Sequence, residues 1–175
     1  MPSANPAPQS GDSHILEAFM AEHPVKDSRG YFKLPQDPEN GGYGYYTYGT
    51  PAHGAGQFVH PKLLSIISMV EHRWQGMDDR KIGFGNISLA GGGKFDPHEG
   101  HQSGLDVDIR AIRKDGRQLP VKWTDAQYDR EATTKLINLF CQSCAVKVIY
   151  FNDPKITRVM RRFRHDNHFH VTIFE

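Results

Sequence analysis

Residues 98–110 read HEGHQSGLDVDIR, and residues 165–174 read HDNHFHVTIF. In the first stretch Asp106 and Asp108 alternate with Leu105, Val107 and Ile109; in the second, His168 and His170 alternate with Phe169 and Val171. Side chains along a strand point to opposite faces at every second residue. Each stretch therefore predicts a strand with one apolar face and one face carrying groups that bind metals or protons. If the two strands pair, their apolar faces share a core and their aspartates and histidines converge.

The rest of the chain supplies partners for that core. PKLLSIISMVEHRWQG, residues 61–76, predicts a helix: proline suits the first turn, Leu63, Leu64, Ile67, Met69 and Val70 form a stripe, and Gly76 can end it. TDAQYDREATTKLINLF, residues 124–140, predicts a second, capped by Thr124 or Asp125, and SHILEAFMAEH, residues 13–23, a short third. KIGFGNISL, residues 81–89, and the β-branched AVKVIYF, residues 145–151, read as strands, and DPKITRVMRRF, residues 153–163, as a short helix opened by its proline. Between residues 36 and 59 turn residues alternate with Tyr43, Tyr45, Tyr46 and Tyr48, which predicts short strands and loops whose tyrosines either line a groove or cover the core. The sum is an α+β fold: one domain over residues 13–175, a central antiparallel sheet flanked by helices, and a Pro- and Ser-rich tail over 1–12.

Composition limits the function. With 175 residues, 38% hydrophobic and 23% charged, the chain can bury one ordinary core. Lys plus Arg (21) balance Asp plus Glu (20), so no field demands nucleic acid or an anionic membrane. The one basic run, RVMRRFR at 158–164, reads as a solvated helix face. No stretch approaches the ~20 apolar residues of a membrane span, and the first residues lack the basic start and apolar run of an export signal. Cys141 and Cys144 are too few for a structural zinc site and read as small reduced residues, with a local disulfide as the alternative.

Five of the ten histidines, at 98, 101, 165, 168 and 170, crowd into the two opening segments. Zinc takes imidazole nitrogen and carboxylate oxygen, and a catalytic zinc typically keeps three protein ligands and a water. His101 and Asp108 on one helix would stand two turns, about 10.5 Å, apart, so their spacing asks for a loop, turned at Gly104, that leads into a strand. HEGH ends one residue short of the helical HExxH motif, which excludes that class. Spacing alone leaves His98, His101, Asp106, Asp108, His165, His168 and His170 as unranked candidate ligands.

SLAGGGKFDPHEGHQSGLDVDI followed by HDNHFHV resembles the penicillin-insensitive murein endopeptidases, part of a wider group of zinc peptidases that includes lysostaphin-type enzymes, D-Ala-D-Ala peptidases and the hedgehog signalling domain. The resemblance spans roughly residues 82–174 and rests on His, seven positions on to Asp, then a distant His-x-His. It implies zinc held by His101, Asp108 and His170, with His168 as the catalytic histidine that orients or deprotonates water, or steadies the oxyanion. His98 and His165 match two further active-site histidines, and His98 could be a fourth ligand at rest. Some relatives carry a carboxylate base three residues before the last zinc histidine; here Asn167 stands there, which puts more of the role on His168. Asp106 is expected to hold a histidine ring or a strand edge, and Gln102 to position substrate or a ligand.

The implied substrate is the peptide of bacterial cell wall, cut at the D-Ala to meso-diaminopimelate cross-link. Arg110 or the arginines at 158–164 would suit its free carboxylates. The rival expectations are a D-Ala-D-Ala carboxypeptidase or dipeptidase, and a zinc-bearing binding domain without turnover. Without an export signal, a wall hydrolase acts after lysis, as a phage lysin does, or through a specialised secretion system, with an immunity protein as partner if it is a toxin; a removed leader is equally compatible.

Overall fold

The structure is a computed structural model that describes residues 26–36 and 44–175. The tail over 1–12, the short helix expected over 13–23, and Tyr43 lie outside the described residues. In chain order the elements are β1 (Phe32–Lys33), β2 (Tyr45–Thr47), β3 (Phe58–Val59), α1 (Pro61–Gln75), β4 (Ile82–Phe84), β5 (Asp106–Arg110), α2 (Arg130–Cys141), β6 (Val146–Tyr150) and β7 (His168–Ile173). Five strands form one sheet in the order β2-β4-β5-β7-β6, antiparallel except for the parallel pair β2 and β4, while β1 and β3 form a small second sheet.

The alternation in β5 and β7 sets the register of the central pair. Asp108 stands opposite His170, Arg110 opposite His168 and Asp106 opposite Thr172, while Val107 and Ile109 face Val171 and Phe169. Slipping either strand by one residue would turn its apolar side chains away from the core, so the pattern permits no other register. On the apolar face both helices pack: Leu63, Ile67, Val70 and Trp74 of α1 and Leu136, Ile137 and Phe140 of α2 join Val107, Ile109, Phe169 and Val171 in one buried cluster. Both helices cover that face, which leaves the aspartate and histidine face to loops. Replacing Phe169, fully buried against Phe140 and Phe151, with alanine is expected to cost about 3–5 kcal/mol, read as a lower midpoint in urea.

α1 begins as its proline dictates, with His60 Nδ1 accepting a hydrogen bond from the Lys62 amide as its cap. Its buried stripe is Leu63, Ile66, Ile67, Val70 and Trp74, with Leu64 and Met69 half-buried at the edge. α2 starts later than expected and is capped by Asp129, not by Thr124 or Asp125. Asp125 instead closes a turn, and Tyr128, buried and bridged to Arg113, holds the preceding chain out of the helix.

The helix expected over 153–163 does not form. Asp153 is buried and bound by Tyr128, Arg130 and the Lys155 amide. The Phe151 and Met160 amides bond to Met160 and Ile149 carbonyls, so the segment lies against β6 as an irregular loop and the basic run is not a helix face. Tertiary pairing here overrides a weak local preference. The strand expected over 81–89 is regular only to Phe84; beyond it, Gly85 and Asn86 still bond to Asp108. Cys141 and Cys144 are unbridged, the second of them exposed. Among the described residues no helix is long and apolar enough to cross a membrane.

Candidate metal centre

Two unusual backbone turns carry His101 onto the sheet. His101 itself has φ of 62° and Gly104 has φ of 75°; a side chain at Gly104 would meet the His60 amide and the Tyr31 ring. A left-handed conformation is costly for a residue with a Cβ and persists where its surroundings hold it. Arg29 does much of that holding: its guanidinium donates to the carbonyls of Gln102 and Leu89 and to Ser88 Oγ, clamping the loop at both ends. No feature of the sequence marked Arg29 for this task.

Three atoms able to ligate a metal then meet. His101 Nε2 lies 3.3 Å from Asp108 Oδ1 and 3.1 Å from His170 Nδ1, and His170 Nδ1 lies 3.0 Å from Asp108 Oδ1. The far nitrogen of each ring is engaged. His101 Nδ1 donates to the Ile87 carbonyl at 3.1 Å and His170 Nε2 to Asp106 Oδ1 at 3.1 Å. Since a carbonyl can only accept, His101 Nδ1 carries its proton and Nε2 faces the cluster as an acceptor; His170 faces a carboxylate with each ring nitrogen, so without a metal both carry protons, and a metal ion would take the place of the Nδ1 proton shared with Asp108.

The electrostatics agree. Burial is the largest influence on each of these groups and opposes charge, yet hydrogen bonds to Asp106 and Asp108 hold His170 up at about 9. The Asp108 carboxyl is likewise pushed up by burial but kept well below the usual range by hydrogen bonds from His101 and His170. Asp106 is lowered in the same way, against its burial, by His170 and by Thr172, whose hydroxyl donates to it at 2.7 Å. Two ionised carboxylates thus balance a divalent ion more fully than Asp108 alone, the second acting through His170. Ligands at 2.0–2.2 Å around a tetrahedral zinc stand roughly 3.3–3.6 Å apart, and the three observed separations come within a few tenths of an ångström of that. Two imidazoles and one carboxylate suit zinc in chemistry as well as spacing.

His98, His101 and Asp108 also bring ligand atoms within 4.8 Å of one another. His98 nevertheless differs from His170. The Asn86 side-chain oxygen accepts from the Thr50 amide at 2.7 Å, so its nitrogen faces His98 Nε2 at 2.8 Å as a donor. His98 Nε2 therefore accepts, and Nδ1, which is 3.9 Å from Asp108 Oδ2, carries the proton. Burial keeps this ring neutral by lowering its basicity.

His168 Nε2 stands 3.6 Å from Asp108 Oδ1, and its Nδ1 donates to the Asn167 side-chain oxygen at 2.9 Å. That bond leaves the Nε2 lone pair facing the cluster, and burial pulls the ring down to about 4, so it is neutral near pH 7. His165 lies behind it, ring centroids 5.0 Å from His168 and 5.6 Å from Tyr150, with Nδ1 on the Phe163 carbonyl at 2.8 Å. Gln102 is exposed and is tied to the structure through its carbonyl, on Arg29. Of the tyrosines, Tyr45 belongs to the core, whereas Tyr46 and Tyr48 lie over Gly83 and Gly85 beside Arg110. Thr172 could have been found by counting twos along β7; Asn86 carried no signal at all.

A buried pair of imidazoles with a carboxylate, on a sheet face that both helices leave free, is a donor set that fits a metal ion. The chain belongs to the penicillin-insensitive murein endopeptidase family, whose sequence model matches residues 52–143. Penicillin-insensitive murein endopeptidases of Salmonella paratyphi B, Salmonella newport and Salmonella heidelberg are each 34% identical to it over 83 residues, 46% of this chain. The alignment takes in only 28% of the length of each relative. The family match starts before α1 and takes in His98, His101 and Asp108, but stops before β7. His168 and His170 join the site through the register of the sheet.

Proposed function

We propose that the chain is a zinc-dependent murein D,D-endopeptidase that cuts the D-Ala to meso-diaminopimelate cross-link, with zinc held by His101, Asp108 and His170. The observation that carries this reading is the meeting of His101 Nε2, Asp108 Oδ1 and His170 Nδ1 with His168 Nε2 beside them. Bound there, zinc supplies a Lewis acid that polarises the scissile carbonyl and acidifies water.

The chain's own residues supply the rest. His168, neutral and with Nε2 free, takes the proton of the attacking water at that atom and returns it to the leaving amine. Asn167 fixes the tautomer that makes this possible, so the residue that cannot be a base orients one. Asp106 and Thr172 keep the His170 ring turned so that Nδ1 faces the cluster. His98, with its Nδ1 proton 3.9 Å from Asp108 Oδ2, would donate to the oxygen that gains charge.

The test is to incubate the zinc-loaded protein with purified murein and identify the fragments by mass spectrometry. Conversion of cross-linked dimers to monomers is the expected result, with chelation abolishing it and zinc restoring it. Release of free D-Ala would make the protein a carboxypeptidase, and binding of murein without cleavage would make it a binding domain.

A further inference from the structure

The sheet face beside the metal centre carries a cation that the proposed chemistry does not use. Arg110 follows Asp108 by two residues on the same face and stands directly opposite His168. Its guanidinium lies 4.1 Å above the Tyr48 ring, and Nη1 donates to the Gln118 carbonyl at 2.7 Å and faces the Tyr46 hydroxyl at 3.5 Å. Both bonds use Nη1, so among the described residues the Nε and Nη2 edge, the edge that grips a carboxylate with two parallel bonds, stays open. Arg80, Arg113 and Arg130 each have a carboxylate partner; among the described residues Arg110 has none.

The ground beneath it is built. Gly83 and Gly85 form a flat floor, since a Cβ at either would press to 2.6 Å from the Tyr46 or Tyr48 ring. The Tyr48 hydroxyl is buried and has no hydrogen-bond partner among the described residues. Arg110, Tyr46 and Gly83 also line a shallow depression with Arg80 and Arg117, whose charges are met by Asp78, Asp129 and Asp115. A stacked arginine with an open two-donor edge suits an anion with planar acceptor geometry.

We propose that Arg110, seated over Tyr48, anchors a free carboxylate of the wall peptide about one or two residues from the bond that is cut, two residues along a strand being roughly 7 Å. The inference rests on the function proposed above: a diaminopimelate residue at the cross-link carries such a carboxylate beside the scissile nitrogen. Arg110 then decides which cross-links are cut, because a carboxamide offers the fork one acceptor and no charge.

The experiment compares a cross-linked muropeptide dimer carrying the free diaminopimelate carboxylate with the same dimer amidated there. The wild-type protein is expected to favour the free acid in kcat/KM by on the order of 10-fold or more, a ratio in keeping with the strength of charge-assisted bidentate bonds. Arg110→Gln should remove the preference mainly through KM, and Arg110→Lys should restore part of it. A preference that survives in Arg110→Gln overturns the proposal. A second arm measures binding of diaminopimelate and of its diamide to the zinc-loaded proteins. Selective binding of the acid that weakens in Arg110→Gln supports the anchor; equal binding by both proteins overturns it. If wild type cuts neither dimer, the endopeptidase reading fails while this binding arm still decides the role of Arg110.

Discussion

Asp108→Asn is expected to leave the fold intact and to strip the bound metal, with cleavage of murein falling with it. The amide matches the carboxylate in shape but removes the one charge that faces both His101 Nε2 and His170 Nδ1. Residues that only hydrogen-bond a metal ligand typically contribute about 10–100-fold in affinity, so the loss here should exceed that range. Metal content after gel filtration, with thermal unfolding as a control for folding, is the measurement. A variant that keeps a full equivalent of zinc would move the site elsewhere, towards His98. The same cluster predicts how binding varies with pH. His170 is held up at about 9, so below that value a metal must displace its proton, and affinity should climb with pH by up to roughly tenfold per unit before levelling above it.

His168→Ala should separate chemistry from metal binding. The ring lies beside Asp108 but its Nδ1 is committed to Asn167, and it stands on the half-buried end of β7, so its removal should spare both the fold and the zinc. Turnover should drop about 10²–10⁴-fold, the usual worth of a placed proton acceptor. Zinc content unchanged with kcat reduced is the signature. Full activity would take the base away from His168, and loss of zinc would make that residue a ligand.

The two outcomes differ because the structure separates two kinds of histidine that look alike in the chain. His168 and His170 are two residues apart on one strand face, yet His170 turns Nδ1 towards Asp108 with Asp106 behind it, while His168 turns Nε2 there with Asn167 behind it. Alternation alone predicted that both would share a face with Asp106 and Asp108, and the register of β5 and β7 shows that they do. Which nitrogen His101 and His98 offer depends likewise on an acceptor, the Ile87 carbonyl, and a donor, the Asn86 amide, reached only after the chain has folded back on itself.

Local pattern was a sound guide wherever burial and hydrogen bonding agreed with it, as in α1 and the paired strands. It failed at residues 153–163, where a buried Asp153 and an edge of β6 captured a segment with weak helical leanings. The amino-acid order by itself determined the α+β class, the two-faced strands and the crowding of histidines and aspartates into two segments, because side-chain periodicity is a property of neighbours. Only the tertiary structure decided that Asp108 meets His170, that Arg29 clamps the loop of His101 and that Arg110 lies open over Tyr48. Distances between remote side chains depend on how strands pair and loops close, and no local stretch contains that information.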